Sequence, residues 1–402
     1  MSEVKSDLSS FFQDYLQKNS LFKSKEALQS SYYPNTILHR DEQVKQIADI
    51  IAPALKSEIP SNLFLYGKTG TGKTLCAKYI TNMMKDIASK NNIKLEFVYI
   101  NCKLKKIADT EYRLVAQFAR ELGKEVPSTG LPTEEVYSLF YQALEARNTI
   151  CIFILDEIDH LIKKTGDGIL YNLTRMNSEL KNSKISIIGI SNDLFFLESL
   201  DPRIKSSLSE EEIIFPPYNA LQIKDILFER SKTAFNEGVL EQGVIEKCAA
   251  YAAREHGDSR RALELLRVAG ELANRLNSQK INIDHIDSAE EKLENDKTLE
   301  IVKNQPKQHN IILKSILIAA ENSKNKEVIF TGEVYEIYKS LCRKINENVL
   351  TQRRISDILS ELDMLGLINA TVISKGRYGR TREISLKNSR LPTISSLINK
   401  MI

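Results

Sequence analysis

A chain of 402 residues, 42% hydrophobic and 27% charged, has room for two to four domains of ordinary size and too many apolar residues to stay disordered. Its formal net charge of +3 divides into +8 over residues 301–402 and −5 over residues 1–300, so a polyanion-binding unit is to be sought at the C-terminal end. The longest apolar runs, such as residues 151–155, fall far short of the roughly 18 residues that span a bilayer. The five scattered cysteines form no Cys-x-x-Cys pair, which argues against a zinc ribbon or a disulfide framework and suits a reducing compartment.

Residues 1–30 form an N-terminal segment; its first twenty lack the basic start and apolar stretch of a secretory leader. From 31 to 215, β-rich runs at 62–66, 95–101, 150–155 and 185–190 alternate with longer amphipathic stretches, the pattern of a parallel sheet between helices. The first run leads into Gly67-Lys68-Thr69-Gly70-Thr71-Gly72-Lys73-Thr74, which matches G-x-x-x-x-G-K-[ST], and a helical run follows it. Such a strand-loop-helix lets backbone N–H groups wrap nucleotide phosphates, sets Lys73 between the β and γ phosphates, and gives Mg²⁺ a hydroxyl ligand in Thr74. The third run ends in Asp156-Glu157. Two acids at the end of a buried strand are costly unless paired or metal-bound, which suits Asp156 for Mg²⁺ and Glu157 as general base for the attacking water. The fourth ends in Ser191-Asn192, where Asn192 is a turn residue or a group that orients the water or touches the γ-phosphate.

From 216 to 295 the strands stop and apolar residues recur at helical spacing through Ile223, Ile226, Leu227, Ala262, Leu265, Leu266 and Ala269, which predicts a helical subdomain. The polar stretch 296–307 is a linker, or a long helix leading into one. In 308–402 three helices are expected at 311–320, 332–345 and 351–365, then two β runs at 367–373 and 382–386, the order of a winged helix. In the third helix an apolar stripe of Ile355, Ile358, Leu359, Leu362 and Leu365 leaves Gln352, Arg353 and part of Arg354 free at the N-terminal end, where a recognition helix presents its base contacts. Lys375, Arg377, Arg380 and Arg382, with Tyr378 among them, lie around Gly376 and Gly379, a hairpin able to bring arginines to phosphates or a minor groove.

The phosphate loop, the Asp-Glu strand end, the Ser-Asn strand end and the helical segment behind them resemble AAA+ ATPases. Within these the chain is similar to the archaeal initiators related to the eukaryotic origin-recognition complex and its cell-division-cycle loading factor. The stretches that carry the likeness are Pro34-Asn35-Thr36-Ile37-Leu38-His39-Arg40-Asp41-Glu42, Leu200-Asp201-Pro202-Arg203-Ile204-Lys205-Ser206-Ser207-Leu208 and Pro217-Tyr218 with Ile226-Leu227-Phe228-Glu229-Arg230. Two more are Gly257-Asp258-Ser259-Arg260-Arg261-Ala262-Leu263 and Ser374-Lys375-Gly376-Arg377-Tyr378-Gly379-Arg380-Thr381.

The resemblance implies an α/β fold: an AAA+ P-loop ATPase with its parallel sheet between helices, a helical lid, and a C-terminal winged-helix domain that binds DNA. It implies that Ile37, Leu38, His39 and Arg40 line the adenine pocket, that Tyr218 and Arg230 contact nucleotide from the lid, and that Arg260 reads the γ-phosphate. Arg203 would complete a neighbouring subunit's site, and an insertion at Ser128, Thr129 and Gly130 would touch DNA. Taken residue by residue without the likeness, Tyr218 is equally a packing group, and Arg203 or Arg230 a surface ion pair. The expected ligands are ATP or ADP with Mg²⁺. The expected partners are double-stranded origin DNA, the replicative helicase and paralogous initiator subunits, in a nucleoid-associated, cytoplasmic setting. An ATP-binding winged-helix transcription regulator and a signalling ATPase that binds no DNA are the alternatives.

Overall fold

The computed structural model describes residues 20–34, 36–103, 109–127, 129–196, 198, 200–208, 210–255, 257–322, 329–374, 380–385, 394–395 and 397–398. The chain divides into two units, Met1–Ile286 and Asp287–Ile402. Elements of the first are α1 (Asp41–Ile51), β1 (Asn62–Tyr66), α2 (Lys73–Lys90), β2 (Leu95–Asn101), α3 (Glu111–Glu121), α4 (Thr133–Arg147), β3 (Ile150–Asp156), α5 (Ile158–Thr165), α6 (Gly168–Glu179) and β4 (Lys184–Ser191). Then come α7 (Pro202–Leu208), β5 (Glu210–Ile214), α8 (Ala220–Ala234), α9 (Val244–Arg254) and α10 (Ser259–Arg275).

The five strands are all parallel, in the order β2-β3-β4-β1-β5. Every residue of β3 is buried, and all but the first of β4, as the continuous apolar runs require of strands covered on both faces. Period-two alternation sends Phe64 and Phe153 to one face, where Phe153 lies 4.7 Å from Phe118 and 5.7 Å from Phe140. Leu63, Leu65, Ile152 and Ile154 go to the other, against Ile47 and Ile51 of α1 and Ala77 and Ile80 of α2. Edge strand β5 reads Glu210-Glu211-Glu212 before its apolar end, acids that discourage pairing with another sheet. Parallel pairing brings the C-terminal strand ends side by side, with Asn101 opposite Asp156 and Tyr66 opposite Ser191. A doubly covered sheet of this kind binds its ligand at that edge.

Helices α8, α9 and α10 make up the helical part of the unit. Asn219 opens α8 with a capping box closed by Gln222, which satisfies two otherwise orphaned N–H groups. Part of the N-terminal segment belongs with these helices: Phe22 stacks 4.8 Å from Phe235, and the Lys23 N–H donates to the Ala234 carbonyl at 2.8 Å.

Helix α11 (Ile283–Lys303) starts in the first unit and ends in the second; the polar stretch 296–307 is thus helical through Lys303. The second unit continues with α12 (Lys307–Asn322), β6 (Ile329–Phe330), α13 (Thr331–Lys344), α14 (Gln352–Met364), β7 (Asn369–Ser374) and β8 (Arg380–Ser385), its strands ordered β6-β8-β7 and antiparallel. Strand β6 is too short to show a period in the sequence. Ile355, Ile358, Leu359 and Leu362 are buried as the stripe predicts. Leu365 is 39% exposed and does not extend it, because the chain turns out of the helix at Gly366, φ +68°. No helix of the described residues is long and apolar enough to cross a membrane.

Candidate nucleotide site and nucleic-acid interface

The loop Gly67–Thr74 joins β1 to α2. Gly72 caps α2 in the left-handed region at φ +94°, where a Cβ would lie 2.9 Å from the Tyr218 hydroxyl, so both backbone and space call for glycine. Lys73 Nζ donates to the Gly67 carbonyl at 2.6 Å, the Lys68 carbonyl at 2.8 Å and Asn192 Oδ1 at 2.9 Å. Burial pushes this ammonium down to about 8, and Arg260 pushes the same way. A buried, cation-crowded ammonium is stabilised by an arriving anion.

On the neighbouring strand end, the Thr74 hydroxyl donates to Asp156 Oδ2 at 2.9 Å and the Tyr99 hydroxyl donates to the same oxygen at 2.7 Å. Burial, and then the Asp156 charge, push the Tyr99 phenol far above its ordinary range, so it remains a donor. The oxygens of Thr74 and Asp156 are the hard donors that Mg²⁺ takes, and the pair fits that ion. Glu157 follows with φ +56° as the N-cap of α5, a left-handed backbone rare for a non-glycine residue and costly enough to point to a site. Its Oε2 is buried without a hydrogen bond among the described residues, and lies 3.3 Å from Lys103 Nζ and 3.8 Å from His160 Nε2.

A cavity of about 210 Å³ adjoins the loop, lined in part by Tyr32, Ile37, Leu38, Tyr218, Ile226, Glu229 and Arg230. A smaller one of about 160 Å³ touches Gly70, Gly72, Thr74, Lys78, Arg230 and Arg260. Of the four residues expected in the adenine pocket, Ile37 and Leu38 line the larger cavity; His39 and Arg40 do not. His39 Nε2 pairs with Asp225 at 2.9 Å. Arg40 is 2% exposed, donates to the carbonyls of Thr71 and Pro216, and lies 3.9 Å over the Tyr218 ring. It is a strut between the phosphate loop and the chain entering α8. Arg40→Ala should therefore cost about 2–4 kcal/mol, the loss of two charge-assisted hydrogen bonds and a cation–π contact, read from the urea midpoint at unchanged slope.

Arg230 lies 4.5 Å over the Tyr32 ring, and its buried Nη1 has no hydrogen-bond partner among the described residues; the side chain lines both cavities. Arg260 follows Asp258, whose carboxylate caps α10 and accepts from Thr69 Oγ1 at 3.2 Å, while the Ser259 hydroxyl donates to the Gly70 carbonyl at 2.7 Å. Helix α10 is so clasped to the phosphate loop. Arg203 is exposed on α7 and lines neither cavity. Tyr99, Lys103, Asp258 and Tyr32 were not singled out from the sequence. Only Asp258 carries a local signal, a capping residue before a helix.

In the second unit, Thr351 Oγ1 caps α14 and Gln352 and Arg353 are exposed. Arg354 is engaged along its helix by Glu361 at 3.2 Å, and Glu361 in turn by His309 at 2.7 Å. Arg382 does not stand free: it donates to Ser356 Oγ at 3.3 Å and Ser360 Oγ at 2.7 Å, fastening β8 to α14. Lys375, Gly376, Arg377, Tyr378 and Gly379 lie outside the described residues, as do Ser128 and the side chain of Arg380. Thr129 and Gly130 are exposed beside Pro127, whose carbonyl accepts from Tyr112 at 3.0 Å.

Family models match three stretches: an AAA domain over residues 59–194, a Cdc6 AAA+ ATPase-type lid domain over 224–291 and a CDC6 C-terminal winged-helix domain over 300–394. An ORC1-type DNA replication protein of Thermococcus onnurineus is 53% identical over 94% of this chain and 91% of its own length. A second, from Methanosarcina acetivorans, is 51% identical over the same shares. Among solved structures, Aeropyrum pernix ORC1 in complex with DNA is 42% identical at a TM-score of 0.79, covering 95% of this chain and 98% of that one. Cdc6p of Pyrobaculum aerophilum, at 22% identity and a TM-score of 0.60 over 95% and 98%, shares the fold. With a parallel-sheet ATPase core, a lid and a winged helix matched in order along nearly its whole length, the chain belongs to the family of ORC1-type DNA replication proteins, AAA+ ATPases of the Orc1/Cdc6 kind.

Proposed function

We propose that the protein is an ATP-dependent replication initiator that binds double-stranded origin DNA, uses slow ATP hydrolysis as a switch and helps recruit the replicative helicase alongside paralogous initiator subunits. The observation that carries this reading is the sheet edge where the start of α2 brings Lys73 to Asn192 and Thr74 to Asp156, with Glu157 next along the chain, in a chain whose basic excess lies in a winged helix. Ile37, Leu38 and Tyr218 hold the base, and Arg230 adds donors from the lid. Lys73 and Arg260 hold the phosphates, and Asn192 orients Lys73 and the water. Thr74 and Asp156 hold Mg²⁺, which when bound neutralises phosphate charge. Glu157 takes the proton of the attacking water. Arg203, exposed on α7 and lining neither cavity beside the phosphate loop, serves the site of a neighbouring subunit.

On DNA, Thr129, Gly130 and the wing cations Lys375, Arg377 and Arg380 approach the backbone, while Gln352 and Arg353 reach base edges. Arg353→Ala should cost about 1–3 kcal/mol on the preferred site and much less on random DNA; an equal loss on both, titrated by fluorescence anisotropy, would make Arg353 a phosphate contact. Genome-wide mapping of the bound protein tests the reading as a whole. Occupancy concentrated at replication starts is expected; occupancy confined to promoters would leave a transcription regulator in its place.

A further inference from the structure

Helix α14 turns Ile355, Ile358, Leu359 and Leu362 to the core, so the opposite stripe, Arg353, Asp357, Ser360 and Met364 at i, i+4, i+7 and i+11, faces outward. Arg353, Asp357 and Met364 are exposed. Ser360 is turned aside, accepting from Arg382 Nη2 at 2.7 Å. On the flanks Ser356 accepts from the same guanidinium at 3.3 Å, and Arg354 pairs with Glu361 at 3.2 Å. Arg353 and Asp357 are left as the charged groups of this face with no hydrogen bond or ion pair from their side chains among the described residues. They form one free cation and one free anion, about 6 Å apart along the helix axis.

Asp357 does little for the fold. It stands in the second turn of α14, past the first turn in which the macrodipole favours an acid, and aspartate is a poor helix former in an interior position. On a surface that approaches a polyphosphate it also has the wrong sign, because an exposed carboxylate opposes the attraction that supplies affinity for DNA of any sequence. A charge unfavourable to every sequence is offset only by a donor that some sequences present. In the major groove a carboxylate finds that donor in the N4 amino group of cytosine, as an arginine finds its acceptors in guanine O6 and N7. A separation of about 6 Å is less than two base-pair steps of roughly 3.4 Å, so Arg353 and Asp357 reach neighbouring base pairs.

We propose that Asp357 is a specificity-determining residue of the winged helix, accepting a hydrogen bond from a cytosine amino group and repelling sites that lack that donor. The proposal rests on the reading of α14 as the helix that reaches base edges. It makes sequence choice depend on an acid in a domain whose net charge is basic.

Fluorescence-anisotropy titrations of the full chain test it on three DNAs: a duplex that the parent protein selects from a randomised pool, that duplex with each base pair replaced in turn, and random DNA. The variants are Asp357→Ala, Asp357→Asn and Arg353→Ala, each checked for fold by circular dichroism. Asp357→Ala is expected to bind random DNA about two- to fivefold more tightly, the equivalent of one exposed charge interaction. It should bind the selected duplex more weakly, so that the ratio of the two affinities falls about tenfold or more, with the lost discrimination confined to one C·G pair. Asp357→Asn, whose amide pairs with adenine N6 and N7, should move the preference at that pair from cytosine to adenine. An unchanged ratio in Asp357→Ala, or a weakening equal on both DNAs, overturns the proposal. So does a variant whose profile over the base replacements remains the parent's. If Arg353→Ala and Asp357→Ala both bind the two DNAs as the parent does, α14 is not the reading helix and the proposal falls with that reading. A loss of preference in Arg353→Ala beside an unchanged Asp357→Ala removes the proposal alone.

Discussion

Replacing Lys73 by alanine is expected to abolish retention of ATP while leaving the fold intact. In the protein the ammonium is buried among the carbonyls of Gly67 and Lys68 and the Asn192 amide oxygen, and no carboxylate among the described residues is in hydrogen-bond contact with it. Desolvation of such a cation is repaid in full only when an anion arrives, so its removal costs the fold little and the ligand much. Loss of a partly buried charge contact with phosphate should weaken binding by about 3 kcal/mol or more, over 10²-fold in Kd. The same burial gives the site a pH signature. With the ammonium held down at about 8, most of it is neutral at pH 9, whereas phosphates beside it favour the charged form. ATP binding should then take up a proton, up to about one at pH 9 and close to none at pH 7, and affinity should fall as pH rises through about 8. Calorimetry in buffers of different ionisation enthalpy measures the uptake. An uptake at pH 9 that survives in Lys73→Ala would assign the proton to another group.

How far the sequence exposed this site depended on how local each signal was. The run 150–155 ending in Asp156 was legible as a buried strand because it is apolar without interruption, and all of β3 is buried. The phosphate loop was legible because its glycines, lysine and threonine lie within eight residues between a strand and a helix. Arg40 was not. Its expected place was the base pocket, but its partners, Thr71, Pro216 and Tyr218, come together only when the sheet brings distant segments to one edge. Tyr99 holds Asp156 from 57 residues away for the same reason. In the winged helix, the basic count was read as free charge, while Arg354 and Arg382 are engaged by Glu361, Ser356 and Ser360. Periodicity shows which residues face a core; it does not show which cations have partners.

Glu157→Gln is expected to bind ATP as the parent does and to hydrolyse it about 10²–10⁴-fold more slowly, the usual share of a general base. The amide matches the carboxylate in size, so α5 and its left-handed cap at Glu157 need not move. Binding is expected to be retained because the proposed determinants lie elsewhere: Lys73 and the loop for the phosphates, Thr74 and Asp156 for Mg²⁺, Ile37, Leu38 and Tyr218 for the base. What disappears is the ability to accept a proton, together with the ion pair to Lys103 at 3.3 Å. A single-turnover measurement with radiolabelled ATP separates the outcomes, since it follows the chemical step without product release. A slowed burst with unchanged ATP affinity is the expected result. A Glu157→Gln protein with a normal burst would move the base to another residue, and one that fails to bind would show that the carboxylate, and with it the strand end of β3, holds the nucleotide rather than the water.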